Sequence, residues 1–179
     1  MEIKVLNKKR NTFYQIVFFI GLILIIWEIS IFRRTVIPLG LLLSIVGVIG
    51  SVVTFLDFKN YCKTYDLNGW KLYFFAFMQN TVSWGFIACS ILVLSNYYLS
   101  ESQIIDEKYA IIETSSMPGS KGERSKRIPL VRIDYKGKMK ELVFSNKFYN
   151  ELEEYTYVNV SVKKGFLNWD IIVNQKLEK

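Results

Sequence analysis

The chain has 179 residues, 51% of them hydrophobic, with a formal net charge of +7 and no histidine. Its length allows one or two domains. The missing histidine excludes Ser-His-Asp and Cys-His catalysis and every histidine metal ligand, and two cysteines alone cannot build a zinc site.

The charge is unevenly placed. Residues 1–100 hold nine Lys/Arg and four Asp/Glu, whereas residues 101–179 hold fourteen and twelve. The first density is far below the quarter usual for a soluble domain, and the second is ordinary for one. The chain therefore divides near Ser100 into a transmembrane domain, 1–100, and a soluble β-rich domain, 101–179. Most of the basic excess lies beside helix ends, where it sets membrane orientation. Nucleic acid is not an expected partner, and no cofactor or metal is implied.

In chain order, Phe13–Phe32 and Val36–Leu56 are apolar runs of about 20 residues, which match a hydrocarbon core of roughly 30 Å. A third run, Leu72–Leu99, is uncharged but contains Gln79, Asn80, Thr81, Ser83 and Asn96. The expected helices are about 12–32, 36–56 and 72–99. Arg33-Arg34-Thr35 makes so short a link that the first two form an antiparallel hairpin, with Pro38 in the first turn of the second. Trp27, Trp70, Tyr73, Tyr97 and Tyr98 fall near helix ends, the level of the headgroups. Lys4, Lys8, Lys9, Arg10, Lys59, Lys63 and Lys71 share one side of the membrane, against Arg33, Arg34 and Lys108 on the other. That bias places the N-terminus in the cytoplasm and the β domain outside it, in an inner or plasma membrane.

Three groups of residues stand out. Gly40, Ser44, Gly47 and Ser51 share one face of the second helix, a strip that lets another helix approach closely. It serves either packing inside the unit, against Thr81, Gly85 and Cys89, or a subunit interface. Glu28, Gln79 and Asn80 form a candidate intramembrane polar site. Since Glu28 lies about one turn from its helix end, pairing with Arg33 or Arg34 is expected ahead of a proton or ion site. Met117–Arg127 is glycine-rich and basic. Its Lys121, Arg124, Lys126 and Arg127 read as a solvated loop, or as a contact for anionic lipid or an acidic partner.

After Ser100 the periodicity becomes alternating. Strands are expected at Lys108–Thr114, Ile128–Tyr135, Lys138–Phe144, Tyr155–Lys163 and Phe166–Val173, with a tight turn at Lys136-Gly137 and one or two helical turns across Asn146–Glu154. The alternation puts Val158, Val160, Val162, Leu167, Trp169 and Ile171 in one core and faces Tyr157, Asn159 and Ser161 outward. Five strands with a short helix before the fourth suit an all-β or α+β domain, an OB-like or SH3-like barrel or a simple meander. A helical anchor followed by such a domain is similar in layout to NfeD-type membrane proteins, and no residue roles follow from that. The function expected is that of a non-enzymatic integral membrane protein. Its β module would bind a protein partner in the cell envelope, as an accessory, quality-control or immunity-type protein. A small oligomeric transporter or channel subunit is the alternative. Membrane lipids and a protein partner or a second copy are the expected contacts.

Overall fold

The structure, a computed structural model, describes residues 2–65, 69–119 and 127–179. Its contacts divide the chain into two units, Met1–Ser100 with Gly165–Trp169 and Glu101–Lys164 with Asp170–Lys179.

The first unit is helical. It contains α1 (Glu2–Phe32), α2 (Leu39–Thr64), α3 (Trp70–Asn80), a π-helical turn (Thr81–Gly85) and α4 (Phe86–Tyr98). The last three run on as one apolar segment, so the unit has three helical stretches long and apolar enough to cross a membrane. Both α1 and α2 extend past the apolar runs into polar sequence, because an established helix continues wherever no breaker intervenes. Arg33-Arg34-Thr35-Val36 forms the turn between them, and Pro38 stands immediately before α2.

Tyr14, Val17, Gly21, Glu28 and Ile31 of α1 are buried, a three-four spacing that gives one inward seam. The outer surfaces are apolar too: Phe19, Ile23, Ile26, Leu43 and Phe55 are exposed, Phe55 by 84%. A helix apolar all round is what a lipid solvent allows. The helices close on one another at glycines. A methyl group at Gly21 would overlap the Val82 carbonyl oxygen, one at Gly50 would overlap the Thr81 hydroxyl, and one at Gly85 would lie 2.8 Å from the Val46 carbonyl oxygen. Ile31, Ile37, Leu42, Val46, Cys89 and Val93 form one core cluster, while Tyr14, Tyr61 and Ala76 form another.

The second unit is a five-stranded antiparallel sheet, β1 (Ile104–Pro118), β2 (Arg127–Tyr135), β3 (Lys138–Val143), β4 (Tyr157–Lys164) and β5 (Asp170–Glu178), in the order β3-β2-β1-β4-β5. β1 pairs with β4 along its first half and with β2 along its second, with a bulge between Ile111 and Glu113. Lys136 and Gly137 both have positive φ, as a two-residue hairpin turn requires. Asn146–Glu154 forms two short 3-10 turns, with Leu152 buried. The sheet does not close. β3 and β5 are its edges, and the Gln175 side chain of β5 reaches across to the Val143 carbonyl oxygen. Val131, Ile133, Tyr135, Leu142, Val158, Val160, Val162 and Ile172 are buried.

β5 begins at Asp170, not Phe166, which corrects the expected core. Phe166–Trp169 is a turn, with Asn168 at φ 62. Trp169 packs on the cluster of Ile31, Cys89 and Val93 in the helical unit, and Leu167 is not in the sheet. Alternation read straight through the turn put both residues on the wrong element. Ile171 is buried as expected, but Val173 is exposed, because a bulge opposite Ser161 and Val162 shifts the register.

Candidate functional site

Glu28 stands one turn before the end of α1, yet it is only 2% exposed. Its partners come from α4. The Ser90 hydroxyl donates to Oε2 at 2.8 Å and the Cys89 thiol to Oε1 at 3.2 Å. The expected pairing with Arg33 or Arg34 is thus corrected, since both arginines are exposed beyond the turn. The side chain projects from the inward seam of α1, where α4 lies, and the arginines follow that seam's end. Ser90 and Cys89 carry no sequence signal of this role, being two small residues in an apolar run.

Gln79 and Asn80 do not join Glu28. Gln79 donates to the Tyr14 carbonyl oxygen at 2.9 Å and to the Ser83 hydroxyl at 3.3 Å. Tyr14 and Glu28 are fourteen residues apart on α1, about 21 Å along its axis. Asn80, 1% exposed, donates to the Thr54 hydroxyl of α2 at 3.4 Å, while its Oδ1 and the Thr81 hydroxyl are buried without hydrogen-bond partners. Both lie where the π turn interrupts the regular helix, a type of irregularity frequent at functional sites. Below Gln79, the Tyr14 hydroxyl donates to Asp57, which also accepts from Asn60 at 2.9 Å; Arg10 donates to Asn60. The polar residues of the helical unit therefore lie in two separate layers.

The small-residue strip faces outward. Nothing lies within 4 Å of a methyl group built at Gly40 or Gly47, and the Ser44 and Ser51 hydroxyls donate to the carbonyl oxygens of Gly40 and Gly47. Internal packing uses Leu42, Val46 and Gly50 instead, against Gly85 and Thr81. Packing of the strip against Thr81, Gly85 and Cys89 is thus corrected. In an apolar helix the lipid-facing and helix-facing stripes look alike, and only contact geometry separates them. Gly21 and Gly50 are the closer approaches, and neither belongs to the strip.

Asn96 is another residue that the sequence did not single out. Fully buried, it accepts from the Leu167 amide at 2.9 Å and donates to the Trp169 carbonyl oxygen at 3.2 Å, and its own carbonyl accepts from Phe166. A methyl group at Gly165 would overlap its amide.

In the sheet unit, Asp170 is nearly buried and takes three donors. Tyr135 reaches Oδ2 at 2.6 Å, Lys136 reaches Oδ2 at 3.0 Å and Lys164 reaches Oδ1 at 2.8 Å. Lys136 also pairs with Glu107 at 2.9 Å, and Tyr109 donates to Glu107 at 2.6 Å. Burial alone would raise the Asp170 carboxyl, but the bonds from Lys164, Tyr135 and Lys136 bring it below the ordinary carboxylate value. Glu107 follows the same pattern, burial opposing Tyr109 and Lys136 and losing. Burial and the bond to Asp170 push the Tyr135 hydroxyl well up. Two carboxylates and two ammonium groups balance, so the cluster is a self-satisfied network. Among the described residues no three His, Cys, Asp or Glu side chains converge as a metal site.

The outer face of the sheet is polar and ordered. Arg132 bridges Glu113 at 2.6 Å and Glu141 at 2.8 Å across three strands. Lys108 pairs with Glu178 at 2.7 Å and lies 4.6 Å over the ring of Tyr157, which is 42% exposed. Of the basic loop residues, Lys121, Arg124 and Lys126 lie outside the described residues. Arg127 opens β2, exposed, and its carbonyl accepts from Asn146. The chain matches no family model, no curated protein and no solved structure.

Proposed function

We propose that the protein is a non-enzymatic integral membrane protein whose three helices anchor a β module that binds a protein partner in the cell envelope. The observation that carries this reading is Tyr157. It is a large aromatic side chain held outward on a sheet, fixed by a lysine that is itself paired with Glu178. Aromatic anchors with little freedom left to lose dominate protein interfaces. The β module is read as an OB-type barrel with its seam between β3 and β5 left open, supported by a long bulged β1 shared between β2 and β4. The Lys/Arg bias supports a position for it outside the cytoplasm.

The test is purification of the full chain from its host in mild detergent. A stoichiometric partner lost from the Tyr157→Ala variant, with the sheet still folded, supports the reading. A chain that purifies without any partner, or with the same partner after substitution, rejects it. The second reading, a small oligomeric transporter or channel subunit, is favoured by the open Gly40–Gly47 strip and by the half-buried Gln79 and buried Asn80 side chains. A homo-oligomer that supports ion flux in liposomes would select it.

A further inference from the structure

We propose that Glu28 is a binding site for a monovalent cation, a proton or a sodium ion, held within the helical unit. The carboxyl group is 2% exposed, and the residues it touches, Cys89 and Ser90, are 2% and 0% exposed. Val93 and Ile31, buried in the adjacent core cluster, make the surroundings apolar. Both hydrogen bonds come from uncharged donors, a hydroxyl and a thiol, which orient the carboxyl group but bring no positive charge. Every ion pair among the described residues lies in the sheet unit.

The elements packed against this stretch of α1 offer nothing to balance an anion. α4 and the π turn contain no charged side chain, and neither does the turn Gly165–Trp169. Asp57, Lys59 and Lys63 of α2 lie in its C-terminal part, at the Tyr14 end of α1. Arg33 and Arg34, on the link after α1, are exposed. A carboxylate buried without a counter-charge is among the costliest arrangements in a protein, and within an apolar span it points to a functional group that a cation neutralises. The group that completes the site is therefore a small cation. The Ser90 hydroxyl can serve it in either form, accepting from a protonated carboxyl or lending its oxygen to a sodium ion.

The test uses the full-length chain in detergent micelles treated with the apolar reagent dicyclohexylcarbodiimide, which attacks a protonated carboxyl group, followed by peptide mass spectrometry. An adduct on Glu28 that sodium chloride suppresses and choline chloride does not identifies a site shared by sodium and protons. An adduct insensitive to sodium and suppressed by alkali identifies a proton site. A second measurement does not depend on the reagent's access. Binding of a cation to the folded state raises stability by mass action, so the thermal midpoint of the wild type should fall in alkaline, sodium-free buffer. Glu28→Gln, which keeps the shape but carries no charge and exchanges one acceptor oxygen for an NH2 donor, should fall less under the same change. Wild type and Glu28→Gln responding identically, with no adduct on Glu28, overturns the proposal.

Discussion

At the scale of single residues, two glycines flanked by apolar residues serve opposite ends. Gly21 lies where a side chain would meet the Val82 carbonyl, and Gly40 lies where it would meet nothing. Gly21→Ala should therefore destabilise the helical unit by about 1–3 kcal/mol through overpacking. Gly40→Ala should be neutral or stabilise by up to about 1 kcal/mol through helix propensity. Thermal unfolding in detergent separates the two, and equal effects would refute the helix contacts described. In the sheet, Asp170 and Glu107 are held below the ordinary carboxylate value when folded. A depressed folded value means that their contribution is present above the unfolded value near about 4 and is lost as pH falls through the folded one. Asp170→Asn should therefore flatten the acid limb of the sheet's unfolding profile, followed by circular dichroism. Tyr135→Phe removes only one of three donors and should cost about 1 kcal/mol, with the acid limb retained.

Elements differed in how far they could be read from the sequence. The three long helices were legible because a hydrocarbon core demands apolar length, and no soluble element imitates three such runs. β2 and β4 were legible because one face of each is buried, which imprints a period of two. The beginning of β5 was not. Phe166-Leu167-Asn168-Trp169 reads like part of a strand, but the Phe166 and Leu167 amides and the Trp169 carbonyl bond to Asn96, a tertiary partner that periodicity cannot show. Trp169→Ala should accordingly weaken the helical unit and leave the sheet's own unfolding unchanged, reversing the expectation from alternation alone. Tyr157→Ala should cost the sheet about 1 kcal/mol or less. The partners of Glu28 were illegible for the same reason, since Ser90 and Cys89 look like lipid-facing filler. On α2, Gly47→Leu meets open space in the monomer. It should leave the fold intact and weaken self-association by about 1–3 kcal/mol if a second copy packs there. Unchanged mass in detergent would assign that strip to lipid.

For the whole molecule, the Lys/Arg bias becomes a measurable topology. Cys62 is exposed near the end of α2, on the side shared with the N-terminus, and Cys89 is buried. An impermeant maleimide should leave Cys62 unmodified in intact cells (or spheroplasts, where an outer membrane intervenes) and react after lysis. A Cys62→Ala, Ser102→Cys chain should do the opposite, and the reverse pattern would invert the orientation. The π turn bears on the whole helical segment that contains it. Seen down the axis, it acts as a phase slip, since one residue more or less rotates all that follows by about 100°. Asn80 ahead of the turn addresses α2 and Ser90 after it addresses α1, an allocation that an uninterrupted helix of the same sequence would not reproduce. Deleting Val82 is thus a different kind of change from substituting it. It would remove the extra residue that the turn accommodates, so a regular helix would still bring Ser90 and Cys89 to Glu28, whereas one residue inserted at the start of α4 would rotate both away by about 100°.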